Sequence, residues 1–156
     1  VTEPTADRPF IAHPEYGIPK DTRNLVNWSY VAERFRTERN YWVATSSPEG
    51  APHARPVWGV FVDEALCFGG GPKTRWSQNL VANPHVSLHL ESGTEAVIAE
   101  GAVDRITDPA DPFLTKVDDA YELKYKMRHG PPVWVLRPDV VLAWTEFPKT
   151  MTRFRF

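Results

Sequence analysis

Trp28, Val31, Ala32 and Phe35 fall at i, i+3, i+4 and i+7, the period of a helix with one buried face. Asn27 or Ser29 stands where a helix cap belongs, since a short side-chain oxygen accepts from an unpaired first-turn amide. From Tyr41 the period drops to two. Residues 41–46 read as a strand, Ser47-Pro48-Glu49-Gly50 as a turn, and 51–62 as a second strand. Asp63-Glu64 turns the chain into a strand over 65–69, which Gly69-Gly70-Gly71-Pro72 ends. A short helix over 73–82 follows, opened by a proline whose missing amide would be unpaired there anyway and stopped by Asn83-Pro84. Strands over 85–91 and 95–107 are joined at Ser92-Gly93. Asp111-Pro112 caps a third helix that runs to about His129 and closes at Gly130, with Leu114, Val117, Tyr121 and Tyr125 on one stripe. The last strands, over 133–137, 140–146 and 152–156, are kept short by Pro138 and Pro148.

Six or seven strands joined by short turns, with three helices inserted, do not form alternating βαβ units. The pattern predicts a mainly β fold, an antiparallel barrel or sandwich with helices at its rim. Pro4, Pro9, Pro14 and Pro19 recur every five residues and oppose a helix, so residues 1–20 read as an extended arm and 21–156 as a single domain.

Composition narrows the function. The chain's 156 residues suit one domain with a real core. No run of apolar residues is long enough to span a membrane, and a net charge of −2 gives no electrostatic reason to expect a nucleic-acid partner. Cys67 is the single cysteine, so neither an internal disulfide nor a cysteine metal cluster is available; between Leu66 and Phe68 it reads as buried and inert. Residues 1–4 lack the basic and apolar regions of a signal peptide, which makes a cytoplasmic protein the expectation.

Two segments carry candidate chemistry. In Gly69-Gly70-Gly71-Pro72-Lys73-Thr74-Arg75, glycines permit close backbone approach and a helix N-terminus follows, which suits phosphate. The same residues also fit a glycine-rich turn with two solvated cations, and the spacing is not that of a P-loop. In His53-Ala54-Arg55-Pro56-Val57-Trp58, His53, Arg55 and Val57 share one strand face, and the internal proline points to an edge with free backbone groups. Trp58 alone would read as core. His85 and His89 share a polar strand face without a third metal ligand, so no metal site is assigned. No nucleophile elbow or zinc-protease motif occurs, and no catalytic residue is assigned.

The order of these features resembles the pyridoxamine-phosphate-oxidase-like split-barrel flavoproteins, especially small members that use flavin or deazaflavin. The similarity spans roughly residues 41–107, plus Thr152-Arg153-Phe154-Arg155-Phe156 as a closing strand. The resemblance implies a six- to seven-stranded antiparallel split β-barrel of the FMN-binding type, homodimeric, with the cofactor in a groove between subunits. It implies that His53, Arg55, Pro56, Val57 and Trp58 line the ring of the cofactor. Gly69, Gly70, Lys73, Thr74, Arg75 and Asn79 would surround its phosphate, and Arg153 would meet an anionic tail. True pyridoxamine-phosphate oxidases carry lysines where this chain has Val60 and Trp76, so the resemblance favours a coenzyme F420 oxidoreductase, with FMN as the alternative. A binding module for flavin, haem or tetrapyrrole, with His53 or His89 as axial ligand, is the reading without turnover. Six tryptophans and eight phenylalanines also favour a homodimer, since aromatics concentrate at interface cores.

Overall fold

The computed structural model describes residues 3–11 and 14–156. Its elements are β1 (Thr5–Asp7), α1 (Trp28–Thr37), β2 (Asn40–Ser46), β3 (Pro52–Val62), β4 (Ala65–Phe68), α2 (Arg75–Ala82) and β5 (His85–His89), followed by β6 (Val97–Ile106), α3 (Pro112–Tyr125), β7 (Val133–Leu136), β8 (Val140–Ala143) and β9 (Thr152–Arg155). All pairings are antiparallel. Six strands close in the order β6-β5-β2-β3-β4-β7, and β7 returns to β6. The β7–β6 pairing joins the two ends of this six-stranded set, so neither strand is left as an edge there. The fold is therefore the mainly β split barrel implied above.

Two long strands are shared between neighbours. β6 pairs with β8 over Val97–Glu100 and with β7 over Val103–Ile106. Between those stretches Gly101 lies under the crossing chain, where a Cβ would stand 3.2 Å from the Arg137 carbonyl and the Asp139 amide. From β8 the sheet runs on through β9 to β1, where Thr5 opposes Arg155. The arm expected over 1–20 falls partly outside the described residues; within them it supplies β1 and a 3-10 turn, Pro14–Tyr16.

The barrel interior is filled from alternate strand positions, among them Tyr41, Val43, Leu66, Phe68, Leu88, Val97 and Val141. α1 closes one end with Val31, Ala32 and Phe35, as its stripe predicts. Full burial of a side chain such as Phe35 is worth about 1.5–3 kcal/mol. Asn27 is the N-cap by position only, because its side chain makes no capping bond. A second core lies outside the barrel, where Leu114, Val117, Tyr121 and Tyr125 of α3 cover Val60, Cys67, Val133 and Val135. Cys67 is fully buried as expected, and burial pushes its thiol up to about 12. α3 stops four residues short of His129: Lys126 turns left-handed, and the Asp118 carboxylate then accepts from the His129 and Gly130 amides. No described helix is long and apolar enough to cross a membrane.

Candidate functional site

The first half of β3, with Pro52 and Pro56, pairs with β2 on one side only, since β4 joins it from Gly59 onward. A one-sided strand is where proline is tolerated and where backbone groups stay available to a ligand. At the fork, side chains of α3 take over the role of a strand partner. The Tyr121 hydroxyl donates to the Trp58 carbonyl at 3.0 Å, and Lys124 Nζ donates to the Gly59 carbonyl at 2.8 Å. Tyr125 Oη meets both the amide and the carbonyl of Gly59, at 3.0 and 2.9 Å. Burial depresses Lys124 to about 8 and raises the Tyr121 hydroxyl well above its ordinary value.

β3 alternation sends its site residues to two different faces. His53, Arg55 and Val57 oppose Thr45, Val43 and Tyr41 on the barrel-facing side. There His53 Nδ1 lies 3.0 Å from Asn79 Nδ2, which also donates to Thr45 Oγ1 at 3.0 Å. Arg55 is exposed and turns back to the Ala54 carbonyl. Trp58 stands on the other face and is not core: it is 39% exposed. Its indole stacks on Tyr125 at 4.5 Å and 2°, with the Arg39 guanidinium 4.9 Å above it. Tyr125 and Arg39 cover part of the indole, and the rest stays open to solvent.

The glycine segment is held from both sides by the protein itself. A Cβ on Gly69 would lie 2.1 Å from the His129 ring, and one on Gly70 would lie 2.4 Å from the Trp76 indole. The close approach expected of a ligand is made at these two positions by side chains. Beyond them the anion reading has physical support. Thr74 caps α2, its hydroxyl accepting from the Ser77 amide, and the first helical bond is Gln78 N–H to the Thr74 carbonyl. Amides ahead of that bond point out of the helix. Ser77 Oγ is buried with no partner, and Lys73 and Arg75 are exposed without an ion pair among the described residues. Two cations and the positive end of a helix suit a phosphate-like anion. Glu49, whose carboxyl is held low by its own backbone amide, by Ser47 and in smaller part by Arg75, is the competing charge.

The structure thus joins His53 to Asn79, and sets Gly69, Gly70, Lys73, Thr74 and Arg75 on one loop and helix start. Arg153 does not join them within the chain. It lies on β9, and its guanidinium makes a two-point pair with Asp7 at 2.9 and 2.8 Å. Trp76, 6% exposed, is a core residue against Phe68. Three residues around the site carry no functional signal in the sequence: Tyr121 and Tyr125 belong to a helix stripe, and His129 stands in no motif. An open depression of about 570 Å³ elsewhere, lined by Ser46, His85, Ser87, Glu100 and Asp139, carries carboxylates and is unsuited to an anion. Among the described residues no group of three His, Cys, Asp or Glu is placed to hold a metal.

The family described as pyridoxamine 5'-phosphate oxidase matches residues 30–145. A conserved hypothetical protein of Mycobacterium tuberculosis superposes with a TM-score of 0.67 at 20% identity, over 81% of this chain and 89% of its own. A protein named F420 reductase does so with a TM-score of 0.54 at 24% identity, over 70% and 94%. A heme-binding protein of Mycobacterium smegmatis gives 0.64 at 22% identity, over 80% of this chain and 57% of that one. These likenesses concern the fold. No curated protein matches the sequence.

Proposed function

The chain belongs to the pyridoxamine 5'-phosphate oxidase family, and from that footing we propose that it is an oxidoreductase transferring hydride between coenzyme F420 and a small conjugated organic substrate, with FMN as the alternative cofactor. The observation that carries this reading is the start of α2, where Lys73 and Arg75, exposed and without an ion pair among the described residues, flank a helix N-terminus. These residues, with Thr74, would hold a phosphate of either cofactor. The one-sided edge from His53 to Trp58 would bind the polar rim of the ring through backbone groups, and Trp58 with Tyr125 offers a flat aromatic wall. When bound, the cofactor supplies the hydride chemistry, while the protein orients it and keeps water away. Val60 and Trp76, which replace the lysines of true pyridoxamine-phosphate oxidases, are buried apolar side chains, one in each core. That favours a different substrate.

The reading takes the protein as a cytoplasmic homodimer with the groove between subunits. The outer face of β2, β5, β6 and β8 supports this: Trp42, Ile98, Val140, Leu142 and Trp144 are partly exposed on it. A second reading, a haem or tetrapyrrole carrier without turnover, draws on His89, whose Nδ1 is anchored 2.6 Å from the Leu90 carbonyl, as in an oriented axial ligand.

Titration of the purified protein with F420, FMN and haem in turn, followed by fluorescence or absorbance, tests all three. F420 binding tightest supports the proposal. FMN at least tenfold tighter, about 1.4 kcal/mol, transfers the activity to FMN. A haem Soret band that disappears in His89→Ala, with neither flavin bound, replaces the enzyme by a carrier.

A further inference from the structure

Asn79, Thr45 and His53 form a polar group where α2 lies against β2 and β3. Asn79 is 2% and Thr45 4% exposed, while His53 is half-buried with its Nδ1 turned to the buried pair. The Asn79 side-chain nitrogen carries two hydrogens and lies 3.0 Å from each of its two neighbours, Thr45 Oγ1 and His53 Nδ1. Both hydrogens are thereby donated. A ring nitrogen that accepts carries no proton, so the neutral imidazole must hold its proton on Nε2. No side chain or carbonyl among the described residues receives that Nε2–H. It stands on the exposed side of the ring, on the strand edge that carries Arg55.

We infer that Asn79, steadied by Thr45, is a positioning residue that locks His53 as the Nε2–H tautomer, so that the site offers a neutral N–H donor and selects a ligand with an acceptor oxygen, carbonyl or anionic, at that point. The ligand half rests on the reading of this strand edge as the cofactor and substrate site; the tautomer half does not. The polarity matters because a buried or half-buried donor left unpaired by the wrong ligand costs more than the bond it forfeits. Reversing the Asn79 amide would place the proton on Nδ1 and make Nε2 an acceptor, selecting the opposite class of ligand.

The tautomer is read directly from long-range proton–nitrogen correlation spectra of the 15N-labelled, cofactor-free protein, at a pH where imidazoles are neutral, with His53→Gln assigning the ring. The expected result is Nε2–H in the wild type and a change to Nδ1–H in Asn79→Asp, whose carboxylate can only accept. A wild-type Nδ1–H ring, or an Asn79→Asp spectrum like that of the wild type, overturns the lock. Should that variant not fold, hydrogen exchange of the wild-type side-chain amides decides: Asn79 exchanging as fast as exposed Asn24 also overturns it. The ligand half is tested by titrating F420 and FMN into His53→Gln, which keeps a donor, and His53→Leu, which does not. Binding within threefold of wild type in the first and at least tenfold weaker in the second supports it; equal binding by both variants overturns it. Failure of both cofactors to bind the wild type overturns the site reading and the ligand half together, with the tautomer result standing on its own.

Discussion

Gly70→Ala separates two reasons for a glycine at that position. A methyl group there would stand 2.4 Å from Trp76 Cζ2 and 3.1 Å from Cη2, and ordinary contact begins at 3.4 Å. The indole must therefore retreat by about 1 Å, yet it is 6% exposed and tilted against Phe68 at 5.9 Å, with Leu80 in the same core. Overpacking of that kind costs about 1–3 kcal/mol. The backbone at Gly70 is not left-handed, so alanine also restricts the unfolded chain and returns about 0.4–1 kcal/mol. The net loss lies between about 0 and 2.6 kcal/mol and centres on about 1.3 kcal/mol, or about 3–5 °C in Tm for a chain of this size. Urea and thermal denaturation followed by circular dichroism measure it. Repeating the substitution in a Trp76→Leu background, where the offending ring atoms are gone, should make it nearly neutral. A Gly70→Ala protein as stable as wild type, with weakened cofactor binding alone, refutes the packing argument and returns Gly70 to the ligand.

Two further outcomes follow from charge. Arg75→Ala should weaken cofactor binding by about 1.5–3 kcal/mol, the scale of a charge-assisted hydrogen bond, and an unchanged titration removes the phosphate from the start of α2. Lys124 titrates near 8 in the folded protein against an ordinary 10.5, chiefly through desolvation. Between those values the unfolded chain binds more protons than the native one, so this group's share of stability rises as pH climbs through that window. Urea midpoints measured across it should rise less in Lys124→Met than in wild type; parallel curves would show that Lys124 is solvated.

Local periodicity carried the architecture well because each element's buried face is written within ten or so residues. Val31, Ala32 and Phe35 of the 28/31/32/35 stripe form the buried face of α1, with Trp28 half-buried beside them, and the alternation after Tyr41 is β2. The reading was weaker where the deciding partner lies far along the chain. Trp58 looks like core until α3 returns more than sixty residues later to stack Tyr125 on it. Gly69 and Gly70 read as room for a ligand because nothing local reveals that His129 and Trp76 fill the space. α3 was expected to close at Gly130, the better left-handed residue, but the Asp118 carboxylate binds that amide and moves the stop to Lys126. The pairing of His53 with Asn79 joins a strand to a helix twenty-six residues on, a relation no spacing rule contains.

The edge made by β1 and β9 bears on how the chain assembles as it is synthesised. Thr5–Asp7 is synthesised well before Thr152–Arg155, its one strand partner among the described residues. Until then Asp7 has neither Arg153 nor Arg155 to neutralise, and the six closed strands, all complete by Leu136, can form first. Contacts of such long sequence separation are slow to close. The barrel is thus able to mature while its first strand is still waiting, and the final ladder works as a late seal over β9, covering at the last step an edge that would otherwise template pairing with another chain.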